Sequence, residues 1–333
     1  MVLAVHLGQQ FFSNSKYSSL NSLLDLGKHG VAFFFFLSGT LLAISLRQAN
    51  YSVSNYKRFI LKRLLRIYPA YLFSLIILSS AQNVSQSDFL QHLFLLHSLQ
   101  SQTFGSINYP YWSLSVEFLA YLIFPFLIWI KSERIRKSLF VMIVTVGISW
   151  QVFGYVARTY LGFDSNYNLS ATFYLMTALP AFVIGIYRNE VTKSSRLRRA
   201  LTIFATFAVA DSVIAAVGIL YEVDVWYPVN QLMHGSFGYL AFGALALKLL
   251  DGLERKRYSP KSLKFISQIS YSLYLWQLPI ILFSINSFGR GIKSFTLSVL
   301  LLGVAGFLSY KILEEPFVRA SRRTIELEGP LVK

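Results

Sequence analysis

KSERIRKSLFVMIVTVGISWQVFGYVA, residues 131–157, decides the fold class. The stretch from Ser138 to Ala157 carries no charged side chain, and it follows a short block that holds Lys131, Arg134, Arg136 and Lys137. A bilayer core about 30 Å thick takes roughly 20 apolar residues as one helix. Basic residues gather at the cytoplasmic ends of such helices, so this stretch reads as a transmembrane helix that starts on the inside.

The same pattern recurs outward in both directions. Runs free of strong charge lie at 1–12, 30–46, 67–81, 112–130, 171–187, 200–220, 231–247, 265–286 and 294–310. Together with 138–157 they predict an all-α, polytopic bundle of about ten spans, the first of them truncated. Helix is the assignment because backbone groups in hydrocarbon must be bonded within their own segment, and the runs lack the alternation of a barrel strand. Of the 333 residues, 54% are hydrophobic and 14% charged, which leaves no room for a sizeable soluble domain. No repeat or linker divides the chain, so residues 1–333 read as one membrane-embedded domain.

The net charge of +16 would suggest nucleic acid in a soluble protein. Here its placement gives it another meaning. With the N-terminus inside, the connections 47–66, 131–137, 188–199 and 248–264 and the tail from Lys311 hold 6, 4, 5, 6 and 5 Lys or Arg, 26 of the 31 in the chain. Only Lys16, Lys28, Arg158, Arg290 and Lys293 fall on the other side. Both termini are therefore expected in the cytoplasm, and the charge reads as topology and lipid contact rather than nucleic-acid binding. The outer connection 82–111 lacks Lys and Arg, and its DFLQHLFLLHSL has the apolar spacing of a helix lying at the interface. The chain has no cysteine, which excludes a disulfide framework and a thiolate nucleophile.

Ionisable groups inside a membrane need a partner, a wet cavity or a function. His6, Glu117, Asp211 and His234 are the ones in apolar runs. His6 reads as a general base or, equally, as a histidine bonded to a neighbouring helix. Glu117 reads as a group that orients that imidazole or binds an acceptor hydroxyl, or as an interfacial carboxylate beside Trp112. Packing or pairing explains Asp211 and His234. Lys62, Arg63 and Arg66 stand beside the third run; the two arginines share a helix face and form a phosphate grip or a positive-inside anchor. Gly39 after Ser38 reads as a point of close helix approach, and Pro279 as a kink.

In order along the chain, VLAVHLG around His6, GVAFFFFLSG at 30–39, RLLR at 63–66 followed by IYP, YWSLSVEF at 111–118, ISYSLYLWQLP at 269–279 and LEEPF at 313–317 resemble the acyltransferase-3 family of membrane O-acyltransferases. The resemblance implies about ten spans and transfer of an acetyl or other short acyl group. The donor would be cytoplasmic acyl-CoA and the acceptor a hydroxyl of an extracytoplasmic carbohydrate, which makes this a polysaccharide-modifying enzyme of the cytoplasmic membrane. It implies no tightly bound cofactor. His6 and Glu117 take the catalytic positions; Arg63, Arg66 and Lys62 take the donor-binding ones. The chain departs from the family in three places. The family's arginine upstream of the first histidine is missing, Ala32 stands where an acid is common, and Gln277 stands where histidine is common. No fused hydrolase-like domain, present in some members, is expected within residues 1–333. A transporter or flippase for a glycan precursor is the competing expectation, followed by an inactive relative that assists assembly; no pair of interrupted helices in related halves supports the transporter.

Overall fold

The computed structural model describes residues 1–11, 24, 26–47, 51–100, 102–160, 169–221, 236–256 and 261–328. His234 lies outside them. The helices are α1 (Val2–Phe11), α2 (Gly30–Leu46), α3 (Val53–Ser80), α4 (Gln86–Leu93), α5 (Trp112–Ile128), α6 (Glu133–Tyr160), α7 (Leu169–Ile186), α8 (Arg188–Lys193), α9 (Ser195–Tyr221), α10 (Ser236–Lys256), α11 (Lys261–Phe288), α12 (Ile292–Ser309) and α13 (Glu315–Glu328). No strand occurs among the described residues.

Among the described residues, five segments are long and apolar enough to cross a bilayer: Gly27–Leu46, Tyr109–Ile128, Glu133–Gly154, Ser236–Glu254 and Ile292–Ser321. The runs 67–81, 200–220 and 265–286 are also helical, but they sit inside the longer helices α3, α9 and α11, whose first turns are basic or polar. A span counted by sequence is thus the apolar part of a helix that continues past it. The first turns of α3 and α4 are capped by Ser52 and Ser85, which accept from the amides of Asn55 at 3.0 Å and Asp88 at 3.1 Å.

The largest helix-to-helix contact among the described residues joins α2 to α7. Its cause is a pair of glycines. A Cβ on Gly39 would stand 2.3 Å from the carbonyl oxygen of Phe182, and one on Gly185 would stand 2.2 Å from that of Phe36. The two backbones touch, the close approach that small residues permit between membrane helices. Phe35, Phe36, Val116, Phe124, Phe182 and Leu240 fill the core around this crossing. Aromatic side chains of the AFFFFLSG run divide: Phe35 and Phe36 are fully buried, whereas Phe34 is exposed.

A second core joins α3, α5 and α11 through Tyr71, Leu75, Tyr111, Leu114 and Leu275, with Leu95 and Ile107 from the outer connection. Within that connection the helix ends at Leu93 and the chain turns at Leu95, whose φ is +56°. The predicted helical spacing therefore holds only as far as α4, and His92 and His97 are buried.

The basic connections converge on one end of the bundle. Arg47 bonds the carbonyl of Ile186 at 2.7 Å and Glu190 at 2.9 Å, and Arg136 lies 3.0 Å from Glu190. Arg188 reaches Asp251 at 2.5 Å and Glu254 at 2.6 Å. Four of the five basic stretches thus share one face through these contacts.

Candidate active site

The site is assembled on α5. Every residue from Tyr111 to Glu117 is buried. One helical turn further on, Tyr121 shares the face of Glu117, and its hydroxyl donates to Glu117 Oε1. Ser38 donates to the same oxygen at 2.6 Å, from the point on α2 where Gly39 brings α7 against the backbone. Both bonds fall on Oε1. Oε2 has no bonded partner among the described residues, so it remains able to accept a hydrogen bond from a ligand.

Positive charge comes from α3. The Arg63 guanidinium carbon lies 5.1 Å from the centre of the Tyr121 ring and 5.4 Å from that of Phe59, and its Nη2 bonds Ser45 Oγ at 3.4 Å. The charges of Arg63 and Arg66 both reach the Glu117 carboxyl. Arg66 also reaches Glu314, which accepts from Ser272 on α11 and lies in the π-helical turn Tyr310–Glu314. Arg63 is half-buried and Arg66 exposed. Lys62, also half-buried, points about 100° around the helix from Arg63.

Further bonds lock α11 against this cluster. Tyr271 donates to the carbonyl of Ile67 at 2.8 Å, and Asn108 donates to that of Leu275 at 3.1 Å. Tyr274 bonds Ser113 at 2.6 Å and also the carbonyl of Pro110. Five separate stretches (GVAFFFFLSG, RLLR, YWSLSVEF, ISYSLYLWQLP and LEEPF) therefore meet in one polar network.

His6 is not part of that network. It is half-buried on α1, which packs on the turn Leu26–His29 and on α11, and it has no hydrogen-bond partner among the described residues. The structure thus joins Glu117 to Arg63 and Arg66, whereas the orienting bond from Glu117 to His6 is not formed.

Two histidine clusters escaped the sequence reading. His29 Nε2 stands 3.6 Å from Asp211 Oδ2, and its ring stacks on Phe242 at 3.8 Å. Asp211, read from sequence as packed or paired, is paired; what that reading missed is its partner His29, which borders another apolar run. In the outer connection, His92 and His97 stack at 4.0 Å with planes 3° apart. His92 Nδ1 bonds Asp88, but among the described residues His92 Nε2 and both ring nitrogens of His97 lack a well-formed hydrogen bond. Burial, reinforced by the neighbouring imidazole, pushes His97 down to about 3. Burial also lowers His92, against the opposing pull of Asp88. Among the described residues no group of three His, Asp or Glu is arranged to hold a metal ion.

The profile of the acyltransferase domain of the acyltransferase-3 family matches residues 1–312. The O-acetyltransferase OatA of Staphylococcus aureus is 24% identical, over 95% of this chain and 54% of its own. The peptidoglycan O-acetyltransferase OatA of Listeria monocytogenes is also 24% identical, over 76% of this chain and 44% of its own. The chain spans about half the length of these relatives. No solved structure matches it.

Proposed function

The chain belongs to the acyltransferase-3 family, and from that premise we propose that it moves an acetyl or other short acyl group from cytoplasmic acyl-CoA to a carbohydrate hydroxyl outside the cytoplasmic membrane. The observation that carries the reading is the Glu117 cluster. One carboxylate oxygen is held by Ser38 and Tyr121, the other is uncommitted, and the charges of two arginines on α3 reach the same carboxyl. A peptidoglycan acceptor for the Listeria relative, by its name, supports a cell-wall or surface glycan as the acceptor class.

In this reading the bundle has about ten spans with both termini inside, and the basic end is cytoplasmic. Arg63 and Arg66, with Lys62 beside them, meet the donor's phosphates, because a guanidinium fork suits a phosphate better than an ammonium does. Glu117 Oε2 accepts the hydrogen bond of a neighbouring hydroxyl of the acceptor or of a group that positions it. His6, whose ring nitrogens have no protein partner among the described residues, takes the hydroxyl proton as the oxygen bonds to the thioester carbon. The carbon–sulfur bond then breaks, and the proton leaves with the thiolate of coenzyme A. A hydroxyl is a poor nucleophile at neutral pH, and a neutral imidazole has the matching pKa.

The test is acyl transfer by the full chain, extended to any earlier start codon, with acetyl-CoA and cell-wall glycan. His6→Ala is expected to insert normally and to lose about 10² to 10⁴-fold in rate. A comparable rate in the variant and the wild type makes His6 a packing residue and removes this mechanism.

A further inference from the structure

Where α2, α5 and α7 end, the basic face contains a cavity of about 570 Å³ lined by Arg47, Lys131, Arg136, Tyr51, Trp129 and Glu190 among others. That volume suits a small organic ligand. Three cations face one carboxylate, so the lining is net positive.

The two guanidinium groups are held in place. Buried Glu190 takes Arg47 on Oε2 at 2.9 Å and Arg136 on Oε1 at 3.0 Å. Arg47 also bonds the carbonyl of Ile186, and Arg136 bonds those of Ile130 and Lys131, all at chain ends left open where α7 and α5 stop. Such fixed donors need no reorganisation to receive an anion. Lys131 is different: its ammonium is exposed and has no partner among the described residues. Tyr51 meets Trp129 edge to face at 5.1 Å, which adds aromatic surface to the same cavity. A positive, preorganised cavity with aromatic walls matches a ligand that is both anionic and flat, a phosphorylated nucleoside.

The cavity is also at a useful distance. Trp129 follows Glu117 by 12 positions on α5 and its C-terminal end, roughly 18 Å at a helical rise of about 1.5 Å per residue. Arg63 lies between the two, bonded to Ser45, two residues before Arg47. A donor whose nucleotide and reactive ends are separated by a long arm would occupy both places, with its central phosphates near Arg63.

We propose that this cavity binds the 3′-phosphorylated adenosine end of acyl-CoA, with Lys131 on the 3′-phosphate and Tyr51 and Trp129 against the base. The inference rests on acyl-CoA being the donor. It adds a second, separate donor subsite whose function is to recognise the nucleotide, not the thioester.

The experiment is calorimetric titration of the full chain in phosphatidylcholine nanodiscs with coenzyme A, 3′-dephospho-coenzyme A and phosphopantetheine. Lys131→Gln and Tyr51→Leu alter exposed side chains, so both variants should fold. Lys131→Gln is expected to weaken coenzyme A about tenfold, a single charge-assisted phosphate contact, and to leave the other two ligands unchanged. Tyr51→Leu should weaken coenzyme A and the dephospho form alike, and spare phosphopantetheine. If wild type and both variants bind coenzyme A equally well, the cavity does not hold the nucleotide, although the donor assignment stands. Should wild type bind no coenzyme A, the donor assignment falls and takes this inference with it. A Lys131→Gln variant that loses copurified phosphatidylglycerol and keeps its coenzyme A affinity would show a lipid site instead.

Discussion

Two buried polar clusters stand on either side of α5, and they are built on opposite principles. At Glu117 the carboxylate is answered by two hydroxyl donors and two nearby guanidinium groups, and one oxygen remains open. At His92 and His97 the rings stack closely, three ring nitrogens lack a well-formed hydrogen bond among the described residues, and burial keeps His97 neutral. A carboxyl group held by named partners inside a membrane protein, with one oxygen open, marks a place where a ligand is to be met. An imidazole kept neutral by burial behaves as a flat packing element.

The comparison is broken most directly at Glu117. Glu117→Gln preserves the shape and an acceptor for Ser38 and Tyr121 but removes the charge that Arg63 and Arg66 face. Acyl transfer should fall by about 10² to 10³-fold, the scale of losing one preorganised electrostatic contact. Folding, followed by detergent-resistant thermal melting, should change little. His97→Phe, the matching replacement on the other side, should retain most activity. An active Glu117→Gln together with an inactive His97→Phe would reverse the assignment of the two clusters.

The arginines sharpen it at the next level. Replacing Arg63 and Arg66 with Gln should weaken coenzyme A binding about tenfold or more for each, at roughly 1.5 to 3 kcal/mol per charge-assisted bond. Lysine should restore only part of this, because it lacks the planar fork. An unchanged affinity in the folded double variant returns both residues to the role of a membrane anchor.

The smallest effect is the pH dependence of the stacked pair. His97 is held well below its ordinary value in the folded chain, so the unfolded chain binds a proton that the folded one does not. Stability contributed by this neutral ring is fully present above about 6.5 and is lost as pH falls from there towards about 3. The slope is at most about 1.4 kcal/mol per pH unit. Thermal melting of wild type between pH 7 and pH 5 should show the decline, and His97→Phe should flatten it. Parallel melting curves for the two proteins would show that His97 is open to water.

The motifs were legible in sequence more fully than their connections. Glu117, Arg63 and Arg66 were identified there, and so was the close helix approach at Gly39. The bond expected between Glu117 and His6 is not formed, because the helix that carries His6 packs on the turn Leu26–His29 and on α11. His29 was passed over because it borders an apolar run and does not lie within one. Its pairing with Asp211 joins positions far apart in the chain, and no local pattern encodes that. The stacked histidines were hidden by a regular apolar spacing, which ends where Leu95 takes a left-handed backbone conformation.

By itself, the sequence determined that the chain is an all-helical membrane protein and which of its residues are costly to bury. Both follow from transfer free energies and backbone hydrogen bonding, which are properties of one segment at a time. Only the tertiary structure decided which costly groups answer one another. That depends on the rotation and depth of each helix against its neighbours, and here those are set where Gly39 and Gly185 let α2 and α7 touch, with Ser38 thereby turned onto Glu117.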